Sequence, residues 1–509
     1  MKNAMNFLSS LKRIGNLEKG NPKNHFAFST PAILLFAAFF MGSDIFGSNN
    51  SDYHMAIQDM PAIHELGEGW QTLEPGGRTA CAHGTPYTFF FHKGDPKRLL
   101  IFLYGGGGCW DAETCQPGSD LYREQIEVWH HPGFMHGILK HDHPDNPFAG
   151  FTMLGIPVCT GDVHLGDNDK EYQSEDGKSF TIFHRGKVNA MSAIDWLESS
   201  LDNFDEIIVA GSSAGAVAVP FYANVMATRH PDARVTGFGD DASSYGTEFM
   251  PLARPSVWGI PQVLQPYPGW EEFAFEHLGI EVLYSLAGRG LDNLRMFLID
   301  HANDGAQLIY LKQGGTENPD LPAILREMHT AIQSDLPDTR SFLIGGMNHG
   351  SLQVASFYMY RENNVSLRDW VAAAANWEDV PNVSCYDLCL RPGMVYFDSD
   401  LKLLDNALAF LEDSSRWNDH DDMQPCPNDA SASRNFRCVI GHAVNVTGDK
   451  PAMNYGATHI LLHEMAERMG RTNFNMITVD FNNSPDTNFE VIRSMLKEIR
   501  DEIAAQLEN

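Results

Sequence analysis

The segment Ile207-Ile208-Val209-Ala210-Gly211-Ser212-Ser213-Ala214-Gly215 constrains the fold more than any other part of this sequence. Four apolar residues of buried-strand type run into a G-x-S-x-G pattern, and a stretch of helical period over 214–228 follows at once. A chain that passes from strand to helix through a serine needs small neighbours, because larger side chains would block the sharp turn. The turn lifts the serine hydroxyl clear of the backbone, above the positive end of the following helix. Ser213 is therefore the expected nucleophile, and Ser212, one position earlier, does not suit the geometry. The five-residue pattern alone is weak and also describes a buried Gly/Ser turn; the strand before it and the helix after it favour the functional reading.

Short apolar runs recur at 99–104, 152–158, 206–210, 235–238, 307–311 and 341–344, an alternating aromatic run covers 85–91, and 189–201 has helical period. This alternation predicts an α/β fold with a mainly parallel sheet covered by helices on both faces, and catalytic groups at the carboxyl ends of its strands. Past about Leu390 the pattern changes to helix-like segments at 401–411, 457–469 and 489–507 around a polar stretch with Cys426 and Cys438. At 509 residues the chain exceeds what one core usually serves. The expected organisation is a leader over 1–45, a catalytic domain over 46–390 and a mostly helical module over 391–509.

Two glycine-rich segments follow strand-like runs. Gly105-Gly106-Gly107-Gly108 lets the backbone approach a ligand and point N–H groups at it, as an oxyanion hole requires. Gly106, Gly107 and the N–H of Ala214 are the expected donors; the loop lacks the Lys-Ser/Thr of a phosphate-binding P-loop. His349, in Gly345-Gly346-Met347-Asn348-His349-Gly350, lies where the general base of such a fold belongs. The acid that orients it is expected between nucleophile and base in chain order. Asp320 is the first candidate and Glu317 the second, both in the loop after the run 307–311, with Asp240 and Asp241 as the alternative location. Each of these also reads as a helix cap.

A net charge of −30 disfavours nucleic acid and anionic lipid headgroups as partners. A basic leader precedes an apolar run over 26–41 that is short for a membrane span and reads as a signal-peptide core, with an uncleaved anchor as the alternative. Export fits the even set of 8 cysteines, which suggests disulfides whose pairing the sequence leaves open. Cys385 and Cys389 read as a disulfide rather than half of a zinc site, and the histidines 130, 131, 136, 141 and 143 have no interpretable ligand spacing.

At these residues the chain resembles the pectin acetylesterase family, which includes the Notum-type carboxylesterases. The likeness runs from Gly84-Thr85-Pro86-Tyr87 through the glycine loop with Cys109-Trp110 and Glu113-Thr114-Cys115, then Cys159-Thr160-Gly161-Asp162-Val163-His164 and His184-Arg185-Gly186, to the elbow, the His349 loop and the segment ending at Cys389. The resemblance implies an α/β-hydrolase fold, no metal or organic cofactor, and hydrolysis of carboxylic esters, with an acylated carbohydrate as the leading substrate class. It assigns Ser213 and His349 the nucleophile and base roles. Three departures stand out: Ser212 and Ala216 replace residues that are often Cys and Gly in relatives, the acid loop lacks an Asp soon after its strand, and the tail past Leu390 lies outside the family pattern. The competing readings are a serine hydrolase acting on peptides or thioesters and a non-catalytic binding or adhesion protein. Offering ester and peptide side by side separates the first, and fluorophosphonate labelling of Ser213 the second. Oligomeric state is not legible.

Overall fold

The structure, a computed structural model, describes residues 60–247, 255–271, 278–385, 389–429, 432–448, 455–471 and 476–508. The leader and its apolar run lie outside the described residues. The described residues all lie in one compact unit.

Nine strands make the main sheet: β1 (Trp70–Leu73), β2 (Phe89–His92), β3 (Asp95–Leu103), β4 (Phe151–Ile156), β5 (Glu206–Ser212), β6 (Arg234–Asp240), β7 (Leu294–His301), β8 (Arg340–Ile344) and β9 (Val383–Ser384). Their order is β1-β2-β4-β3-β5-β6-β7-β8-β9. Strands β1 and β2 pair antiparallel, as do β2 and β4, and every later pairing is parallel. Central strand β5 is buried along its whole length between β3 and β6, which explains why its sequence is a continuous apolar run rather than an alternating one. Helices α1 (Gly186–Glu198) and α2 (Ala214–Arg229) contribute the buried Ile194, Trp196 and Phe221 to one apolar cluster with β3 and β5. Gly215 lets α2 rest on β3, since a Cβ there would collide with the Leu103 carbonyl.

The run 307–311, expected as a strand, is instead the middle of helix α3 (Gly305–Gln313). The strand of this region is β7, whose run Met296-Phe297-Leu298-Ile299 pairs with β6 and β8. An apolar stretch of five residues has no period long enough to separate strand from helix, and the helix cap at Asp304 decides the outcome here. Helix α4 (Leu321–Asp335) follows α3.

Helices α5 (Asp398–Phe410), α6 (Phe436–Thr447), α7 (Gly456–Arg468) and α8 (Phe489–Leu507) occupy the region past residue 390. They share one apolar cluster with the sheet: Phe342 and Ile344 of β8 lie in the same buried group as Leu403, Val439, Ile460 and Leu496. The helical segment is thus fused to the second face of the sheet. Disulfides join Cys81 to Cys159, Cys109 to Cys115, Cys385 to Cys389 and Cys426 to Cys438, pairing all 8 cysteines. Among the described residues no helix is long and apolar enough to cross a membrane.

Candidate active site

Ser213 stands between β5 and α2 with φ 56° and ψ −124°, a backbone conformation that costs energy for any residue with a side chain. The N–H of Ser213 donates to the Asp240 carbonyl at 2.8 Å, fastening the turn to the end of β6. Ser212 is fully buried, and its hydroxyl donates to the Asp240 carboxylate.

The glycine loop after β3 lies directly beside this turn. A Cβ on Gly105 would fall 2.9 Å from Ser213 Cβ and 3.6 Å from its Oγ, so only glycine permits the approach. A cavity of about 20 Å³ lies against Ser213, bounded by Gly107, Gly108, Ala214, Trp110, Trp258 and Tyr310. Ala214 opens α2, where a first-turn N–H has no acceptor within its own helix. Gly107 and Ala214 therefore border the serine cavity, whereas Gly106 lies toward Val158.

His349 follows β8. Its Nδ1 lies 2.7 Å from Asp304 Oδ2, and the Asp304 side chain is fully buried while that of His349 is 28% exposed. Asp304 also caps α3, accepting from the Ala306 and Gln307 N–H groups at 2.8 and 3.2 Å, and its Oδ2 accepts from Gln307 Nε2 at 3.0 Å. The carboxylate is thus fixed by four partners. Burial opposes a charge on His349, yet the Asp304 carboxylate and the nearby Asp241 and Asp240 outweigh it and lift the imidazole to about 9.

Asp320 and Glu317 do not meet His349. Asp320 is exposed and caps α4, accepting from the Ala323 N–H at 3.2 Å; Glu317 is exposed in the same loop. The strand expected to precede that loop is a helix, and the carboxylate partner of the imidazole comes one helix earlier, from Asp304, the N-cap of α3 just past β7. The signal was present as an apolar four-residue run followed within five residues by Asp-Gly before a helical stretch.

Asp240 and Asp241 lie behind the histidine loop. Asp240 accepts from the Ser351 and Leu352 N–H groups at 2.8 and 2.9 Å, and Asp241 accepts from the Gly350 N–H at 2.5 Å and pairs with His301 Nδ1 at 2.7 Å. Burial raises the pKa of both carboxyls. The loop is thereby drawn toward the elbow: a Cβ on Gly350 would lie 3.4 Å from Ser212 Oγ. The described residues form no direct Ser213–His349 hydrogen bond, a contact that in unliganded hydrolases is often long and tightens with substrate.

Asp162 and His184, prominent in the family-like motifs, are internal braces. Asp162 accepts from Thr160 Oγ1 and the Gly186 N–H, both at 2.7 Å, and His184 Nδ1 lies 2.8 Å from the Thr160 carbonyl. Of the five histidines in the insertion before β4, the Nδ1 atoms of His130, His131 and His143 accept from backbone N–H groups within three residues, which makes them local turn-formers.

Residues 75–244 match the family model described as pectinacetylesterase. Palmitoleoyl-protein carboxylesterase notum1a of Danio rerio is 30% identical over 143 residues, covering 27% of this chain and 28% of its own. Pectin acetylesterase 4 of Arabidopsis thaliana is 26% identical over 166 residues, 31% of this chain and 40% of its own. Palmitoleoyl-protein carboxylesterase NOTUM of Homo sapiens is 26% identical over 169 residues, 31% of this chain and 33% of its own. The chain spans less than half the length of each of these three relatives. The matched family segment contains the elbow and the glycine loop and ends before β7, Asp304 and His349.

Proposed function

We propose, from the match of residues 75–244 to the pectinacetylesterase family model, that this protein is a serine carboxylesterase releasing a short acyl group, with Ser213, His349 and Asp304 as its triad. The observation that carries the reading is the buried Asp304 carboxylate on His349 Nδ1, which leaves the other imidazole nitrogen for the hydroxyl of a serine held in a strained elbow.

In this mechanism His349 Nε2 takes the Ser213 proton as Oγ adds to the ester carbonyl. The N–H groups of Gly107 and Ala214 receive the oxyanion. The proton then passes from His349 to the departing alkoxide, and water, activated by the same imidazole, releases the acid from the acyl-enzyme. The 20 Å³ cavity against Ser213 holds about one water-sized group, which supports an acetyl in preference to a long acyl chain. A secreted location is part of the proposal, supported by the four disulfides.

Purified Ser213→Ala is expected to lose about 10⁶-fold in kcat on p-nitrophenyl acetate while melting as the parent does. Turnover retained by that variant refutes the assignment. The parent should also hydrolyse p-nitrophenyl acetate faster than the octanoate.

A further inference from the structure

A second, larger cavity opens beside His349. This cleft of about 460 Å³ is lined mainly by apolar groups, among them Ile309 of α3, Met347 of the histidine loop and Leu462 of α7, with Asn348, His349 and Ser356 among its polar members. Its size suits a small molecule rather than a few waters. Cleavage of an ester separates two groups at one carbon, and the two cavities divide between Ser213 and His349 as that chemistry requires. The acyl group stays on Ser213, whose own cavity is small, about 20 Å³. The alcohol must leave beside His349, because the imidazolium is the acid that protonates it.

Resting on the esterase reading above, we propose that the cleft beside His349 receives the alcohol part of the substrate, that this alcohol is apolar, and that helix α7 is part of the substrate site. The apolar character comes from the walls: Ile309 is 47% exposed on one side, and Leu462 faces the same space from the other. Ile309 is one of ten large apolar side chains exposed among the described residues, and an apolar occupant would cover it. The position of α7 is fixed by more than packing. His463 Nε2 accepts from the Met347 N–H at 3.3 Å, and a Cβ on Gly346 would collide with that ring. Arg391, just past the Cys385–Cys389 disulfide, pairs with Glu464 and Glu467 of the same helix. The backbone before His349 and the wall of the cleft are therefore one construction.

The test uses the full chain and a series of acetates in which only the alcohol grows: ethyl, butyl and hexyl acetate, with xylose tetra-acetate as the polar comparison. The expected result is a kcat/KM that rises by about fourfold per added methylene and is lowest for the sugar ester. Leu462→Asp and Ile309→Lys, on opposite walls, should each flatten the rise; Ile309 is exposed, so its variant supplies a folded protein even where Leu462→Asp does not. Ser213-dependent hydrolysis of ethyl acetate with no gain along the series overturns the proposal and leaves the esterase standing. A preference for the sugar ester does the same, and a slope unchanged in Ile309→Lys removes this cleft as its source. If none of the acetates is hydrolysed in a Ser213-dependent way, the esterase reading falls and the cleft assignment with it.

Discussion

Two Asp–His pairs lie side by side behind the elbow, and they teach different things. Asp304–His349 and Asp241–His301 have the same Nδ1–Oδ2 separation of 2.7 Å. The first leaves 28% of its imidazole exposed beside a cleft, while both side chains of the second are fully enclosed. On the proposed mechanism an identical bond thus serves a proton relay in one setting and a strut in the other. What separates them is the access of the second ring nitrogen, since a base that cannot touch substrate cannot exchange a proton with it.

That contrast breaks most sharply at the carboxylates. Asp304→Asn should lower kcat by about 10⁴-fold, because an amide favours the wrong imidazole tautomer; steady-state kinetics on p-nitrophenyl acetate measures this, and a loss below tenfold would make the two pairs equivalent. Asp241→Ala should act mainly on stability, costing roughly 3–5 kcal/mol by leaving His301 buried without its partner, read by denaturant unfolding. A drop in activity equal to that of Asp304→Asn, in protein that is still folded, would reverse the roles given to the pairs.

Titration sharpens the same comparison. With His349 lifted to about 9, the resting base is protonated at neutral pH, so kcat/KM should climb about tenfold per pH unit from 7 and level off near 9. The stability that this imidazolium contributes runs the opposite way. The folded pKa exceeds the unfolded value of about 6.5, so the contribution is complete below that value and fades as pH rises through about 9. Melting temperature and kcat/KM measured across that interval should therefore move in opposite directions. The smallest effect is expected at Asp320, where Asp320→Ala removes a helix cap worth about 1 kcal/mol and leaves kcat unaltered.

The contrast between Asp304 and Asp320 also marks how far the sequence could be read. The elbow and the histidine loop were legible because short, glycine-flanked patterns bind a side chain to one backbone geometry. The helix at Phe489–Leu507 was legible because 19 residues carry an unmistakable period. The carboxylate beside His349 was not, since β7 and the middle of α3 are both short apolar runs and the reading exchanged them. Nor could any local pattern place His463 against Met347, a contact across 116 positions that only the packed core creates.

That contact bears on how the protein can be dissected. With an imidazole of α7 occupying the space where any side chain at position 346 would go, cutting the chain after Leu390 would strip the support from behind the His349 loop along with one wall of the adjoining cleft. A shortened chain ending there would keep Ser213, Asp304 and His349 but lose the helix that braces the loop carrying the imidazole.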